Sequence, residues 1–169
     1  MAARTAVAGK EVTARYPATL YTPAVRRDMF HEAVADPGEL GPDALYEEYE
    51  SILIDIVEER GVETVAAGSG VDEATLRALV AGESPELDHS DAAAVLALDA
   101  DVDDETAVVL DRDALLMGMT NAVLDVEALS SETDGALDAR EIQSKVEGRF
   151  PMTLREFALL HATIQEHAP

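Results

Sequence analysis

Cysteine is missing from this 169-residue chain, tryptophan is missing too, and lysine occurs only at Lys10 and Lys145. Without cysteine there are no disulfides, no thiol nucleophiles and no thiolate-held zinc or iron–sulfur centres. No apolar run approaches the ~20 residues that a membrane helix requires. The first ten residues lack the apolar core of a signal peptide, and Arg26-Arg27 leads into acidic and polar residues, not a twin-arginine apolar stretch. A soluble, cytoplasmic protein that does not enter a membrane is therefore the expectation. Catalytic patterns are lacking as well: there is no H-E-x-x-H, phosphate loop, G-x-S-x-G or dinucleotide glycine fingerprint. The four histidines, His31, His89, His161 and His167, are scattered, and the last two are spaced so that they miss a common helical face. Asp99 to Glu105 has a D-x-D-x-D run, but a calcium loop would need Gly at Asp104 and a bidentate Glu at Leu110. That stretch reads as a solvated acidic loop leading into a helix. The sequence thus presents no catalytic residue, no metal ligand and no cofactor, and a non-enzyme is expected.

What is present is acid and small aliphatics. Thirty-five Asp and Glu face 12 Lys and Arg for a net charge of -23, with aromatics at 4%. Such an excess strains a compact fold by self-repulsion in dilute buffer. At molar salt the Debye length shrinks to about 3 Å and the penalty is largely screened. The charge is uneven. Residues 1–27 carry Arg4, Lys10, Arg15, Arg26 and Arg27 against Glu11, which leaves all of the net negative charge in the remainder. Residues 1–28 read as a basic, flexible leader, broken by Pro17 and Pro23, and Met29 would begin a clean domain. The scarcity of lysine and aromatics beside abundant Asp, Glu, Ala and Val resembles proteins of salt-in halophilic archaea.

Helical periodicity dominates the rest. Asp43 opens a helix to about Arg60, with Leu45, Tyr49, Ile52, Leu53, Ile56 and Val57 on one face. The preceding Asp36 to Pro42 reads as a turn-rich linker, and Met29 to Val34 as a short helix. Val62 to Pro85 then reads as a helix, a glycine turn at Gly70 with Val71 in the corner, and a second helix capped by Asp72. Leu76, Leu79 and Val80 are its buried edge, and Gly82 and Pro85 stop it. A helix follows from about Ser90 to Leu98. Another begins near Asp104 and carries LLMGMTNAVLDV, the most apolar segment, placed at the core. Thr153 and Glu156 have the spacing of a capping box for a last helix with Phe157, Leu160, His161 and Ile164 inside.

The pattern recurs at Val126 to Pro151. Allowing two residues before the turn glycine, Asp138 matches Asp72, Ile142 matches Leu76, Val146 matches Val80, and Gly148 and Pro151 match Gly82 and Pro85. A kept offset of this kind reads as duplication of one supersecondary unit. The expected fold class is all-α: a compact helical domain from two helix-turn-helix-like repeats, residues 29–98 and 99–169, with a disordered leader.

Ala66, Gly70, Val71, Leu76 and Leu79, with the trailing G-x-x-P, resemble the lambda-repressor/Xre type of helix-turn-helix over roughly residues 45–98. The chain is also similar to a group of small acidic haloarchaeal proteins, a likeness that implies no activity. The first resemblance implies a fold that reads DNA with its second helix. In the first unit, however, Asp72 and Glu73 would face phosphates, and only Arg77 could contact DNA favourably. The second unit presents Arg140, Gln143 and Ser144 with Lys145 and Arg149 nearby, and Arg and Gln can pair with guanine and adenine. Two functions follow. One is a regulatory or adaptor protein that binds another protein, or itself, through the helical scaffold; the other is a DNA-binding transcriptional regulator using the second unit.

Overall fold

The computed structural model describes residues 28–169, so the basic leader lies outside the described residues except for Asp28. Ten helices follow: α1 (Phe30–Ala33), α2 (Pro37–Leu40), α3 (Pro42–Arg60), α4 (Val62–Ser69), α5 (Glu73–Val80), α6 (His89–Leu96), α7 (Asp104–Ala122), α8 (Val126–Glu132), α9 (Ala139–Val146) and α10 (Leu154–Glu166). A 3₁₀ turn, Ala97–Asp99, extends α6. The described residues contain no β-strand, and the all-α class holds. One isolated antiparallel bridge joins Asp88 to Thr153, where His89 N donates to Met152 O (2.7 Å) and Leu154 N to Leu87 O (2.8 Å).

Local chemistry explains most helix ends. Gly70 ends α4 in the left-handed region at φ 79°, and buried Val71 fills the corner before α5. Leu137, also buried, holds the corresponding place before α9. Capping boxes open α9 (Asp138 with Glu141) and α10 (Thr153 with Glu156), and Asp103 and Asp125 cap α7 and α8. Asp72 departs from expectation, since its side chain caps nothing. Asp72 is exposed, and α5 begins without a side-chain cap.

The core is built around α3 and α10, which pack face to face, with α7 and α6 closing the other sides. Tyr49, Phe30 and Phe157 are the largest fully buried side chains. Their rings meet edge-on or tilted, Phe30 to Tyr49 at 5.0 Å and Tyr49 to Phe157 at 6.0 Å between centroids. Gly118 lets α7 approach α10: a Cβ there would come within 2.7 Å of Ile164 Cγ2. The expected linker at residues 36–42 is instead a packed helical turn. α2 lies on α10, and Gly38 sits so close that a Cβ would be 2.6 Å from the Gln165 carbonyl carbon.

Candidate functional site

Helical spacing puts Ala107, Asp111, Leu115 and Met119 on the inner face of α7, so one carboxylate enters an otherwise apolar row. Asp111 is fully buried, and an isolated buried carboxylate would be prohibitively costly. It survives by accepting four hydrogen bonds. Oδ1 takes His31 N (2.9 Å) and His31 Nδ1 (2.8 Å); Oδ2 takes His89 Nε2 (2.7 Å) and Phe30 N (3.3 Å). Burial alone would raise its pKa, but the bonds from His31 and His89 outweigh it and hold the carboxyl at about 2. An ionised carboxylate only accepts, so both imidazoles must donate through the nitrogen that faces it. Burial pushes His31 down, yet the bond and charge of Asp111 prevail and its pKa is raised. The arrangement pins α1 to α6 and α7.

Histidines that are scattered in sequence are therefore gathered in space, which corrects the expectation. His89 stacks on Phe157 at 4.7 Å, and Phe157 stacks on His161 at 5.5 Å. His161 is buried with neither ring nitrogen hydrogen-bonded, and Tyr49 Oη is likewise unpartnered. Burial drives the His161 pKa down to about 4, so this ring is neutral. His167 lies apart near Glu132. Among the described residues no group of three or more His, Cys, Asp or Glu is arranged to hold a metal ion. The four-bonded Asp111 has no lone pair free to accept a substrate proton. The periodicity could have revealed it, since an Asp at a core position of a helix needs a partner.

Next to Asp111, a cleft of about 220 Å³ opens between α7, the start of α6 and the α9–α10 connection. It is lined by Arg112, Lys145, Arg149, His89, Ser90 and Phe150, among others. Arg112 was not singled out by the sequence. The residues named for DNA contact divide. Lys145 and Arg149 line this cleft, and each already pairs with a carboxylate, Glu156 and Glu147 respectively. Gln143 bonds Glu147, Arg77 pairs with Glu73, and Ser144 is buried. Arg140 is exposed at the first turn of α9 with no ion pair.

The outer face of α7 is the other unusual surface. The segment LLMGMTNAVLDV, expected in the core, buries only Leu115, Gly118 and Met119. Leu116, Met117 and Val123 are exposed, with Met117 at 68% and Val123 at 89%. Val109 and Leu110 continue the same face one to two turns earlier, around Asp113 and Thr120. The overall hydropathy of the segment hides two faces: one meets α10, and the other meets nothing among the described residues. Val123 ends α7 in the left-handed conformation at φ 56°, where a β-branched residue is disfavoured.

The molecule is thus all-helical over the described residues, with a hydrogen-bonded buried carboxylate, a cation-lined cleft and an exposed apolar helix face. The chain belongs to a family of unknown function, DUF5791, whose family model matches residues 45–167. No curated protein and no solved structure matches it. No helix among the described residues is long and apolar enough to cross a membrane.

Proposed function

We propose that the protein is a non-enzymatic adaptor that docks a partner protein along the outer face of α7. One observation carries the reading: of the seven large apolar side chains exposed among the described residues, Val109, Leu110, Leu116, Met117 and Val123 lie on this one helical face. Clustering of exposed apolar side chains on one face, here broken only by Asp113 and Thr120, marks an interaction site. Val123 strengthens the reading, because strain kept at an exposed position points to a use for that side chain. The acids around the stripe, Asp104, Glu105, Asp113 and Asp125, select a partner with a basic rim and disfavour a second copy of this chain.

Duplication of one helical unit supplies the scaffold in this reading. It is supported by α3 and α7 both having 19 residues, by a short helix pair following each, and by the meeting of Asp88 with Thr153 at equivalent places. A DNA-reading helix-turn-helix is the weaker alternative. Of its contact residues, Arg77, Lys145 and Arg149 are already paired with carboxylates and Ser144 is inside. The high acid excess further fits work at molar salt in the cytoplasm of a halophile.

The test is affinity capture at high potassium with wild type and with Leu116→Asp/Met117→Glu, two outward substitutions that spare the core. The expected result is a specific partner lost on substitution, with helicity and melting unchanged. Equal capture by the double variant would sink the docking face. DNA binding lost in Arg140→Ala would favour the alternative, and a dimer abolished by the double variant would make the partner a second copy.

A further inference from the structure

Residues 28–169 hold seven cationic side chains: Arg60, Arg77, Arg112, Arg140, Lys145, Arg149 and Arg155. Arg60, Arg77, Lys145 and Arg149 have carboxylate partners, and Arg155 lies 4.1 Å over the Tyr46 ring. Arg112 has neither a hydrogen bond nor an ion pair among the described residues, although acids are abundant. It is also not loose on the surface. Its side chain is half-buried, and the guanidinium lies so tightly over Gly148 that a Cβ there would overlap it. Gly148 has φ 78°, so glycine suits this position twice over, for its backbone and for the space left to Arg112.

Around this held, unpartnered fork stand Lys145 and Arg149, so three of the seven cations share one cleft. The first turn of α6 reaches the same cleft at Ser90, and Asp88 makes no side-chain cap bond to that turn. His89 N of that turn is already given to Met152 O, which leaves the N–H groups of Ser90 and Asp91 for an anion. Phe150, 63% exposed, forms an aromatic wall on the cleft. The volume, about 220 Å³, is below the ~300–1,000 Å³ of pockets for larger ligands. It suits one anionic group with any attached ring lying outside on Phe150.

We propose that the cleft between α6, α7 and the α9–α10 connection is a phosphate-binding site, in which the Arg112 guanidinium takes the phosphoryl oxygens and Lys145, Arg149 and the Ser90 turn complete the cradle. A planar five-donor fork matches phosphate oxygens two at a time. Lys145 and Arg149 can turn from Glu156 and Glu147 toward a dianion, whereas Arg112 has no partner among the described residues to give up. Arg112 lies at the edge of the outer face of α7, next to Val109 and Leu116, but the site does not depend on the adaptor reading.

The experiment uses the full chain, ¹⁵N-labelled, titrated at constant ionic strength with inorganic phosphate and, separately, with adenosine monophosphate. Saturable amide shifts are expected at Ser90, Gly148 and Arg149. Arg112→Gln should weaken binding about tenfold or more, while Arg140→Gln, the other unpaired arginine, should leave it unchanged. If Arg112→Gln loses its dispersed spectrum, Arg112→Lys carries the comparison, with binding weaker than wild type expected. Absence of saturable shifts at those amides, or wild-type affinity in the Arg112 variant, overturns the site. Tighter binding of the nucleotide that Phe150→Ala removes identifies a nucleoside phosphate, and equal affinity identifies phosphate itself.

Discussion

Asp111 has all of its near-full acceptor capacity in use, and that makes it intolerant of its closest isostere. In Asp111→Asn, either orientation of the carboxamide sets its NH₂ against a backbone donor, Phe30 N or His31 N. A buried network broken on one side is strongly destabilising, so a loss of about 3 kcal/mol is expected in urea unfolding. A loss near zero would mean that α1 is not held by this carboxylate. His161 gives a pH prediction. Its folded pKa of about 4 lies below the ordinary 6.5, so the unfolded chain takes up the proton first. Its contribution is complete above pH 6.5 and is lost as pH falls toward 4. His31, raised by Asp111, acts with the opposite sign: its contribution is complete below 6.5 and is lost as pH rises through its folded value. His161→Phe should therefore gain on wild type by up to about 3 kcal/mol between pH 6.5 and 4, following the 1.36 kcal/mol per pKa unit. Parallel stability curves for the two proteins would refute a neutral buried His161. Asp111, held at about 2, retains its contribution through that window and loses it only in stronger acid.

At the scale of elements, α7 contains a conflict between its two faces. Its inner row and the Gly118–Ile164 contact fix it to the core, while its outer row and its terminal Val123 stay exposed among the described residues. Val123→Gly should relieve the left-handed strain and raise stability by about 1 kcal/mol in thermal or urea unfolding. The same change should weaken partner capture. A destabilised Val123→Gly protein would contradict the strain reading. The helices themselves were legible in sequence because periodicity and capping chemistry are local. Thr153 with Glu156, Gly70 with Val71, and the face of α3 are read within a turn or two of chain. Residues 36–42 read as a linker because Gly and Pro there signal a turn, and only the distant backbone of Gln165 explains why that turn is packed. The cluster around Asp111 was hidden for the same reason. His31 and His89 lie 80 and 22 residues from it, and no local pattern links them. Arg112 is one base among acids, and Gly148, the residue its guanidinium covers, is too distant in sequence to mark it.

For the whole molecule, charge sets the conditions. Apart from one acid, every Asp and Glu lies in residues 28–169 with seven bases, so folding brings like charges together in a small volume. Raising KCl from about 0.1 M to about 1 M shortens the Debye length from ~10 Å to ~3 Å. The melting temperature should climb steeply over that interval, more than for Asp→Lys surface variants with the same core. A flat response would show that the acids are compensated within the fold.

The face-to-face seat of α3 on α10 has a consequence for the order in which the chain can mature. During synthesis the apolar side of α3 emerges well before its cover, α10, has been translated. Leu53 and its neighbours thus wait through roughly a hundred further residues of translation before they are shielded, and α2 waits equally for Gln165. Packing of α3 cannot be complete before α10 has left the ribosome, and truncation ahead of Leu154 would leave the apolar side of α3 without its lid.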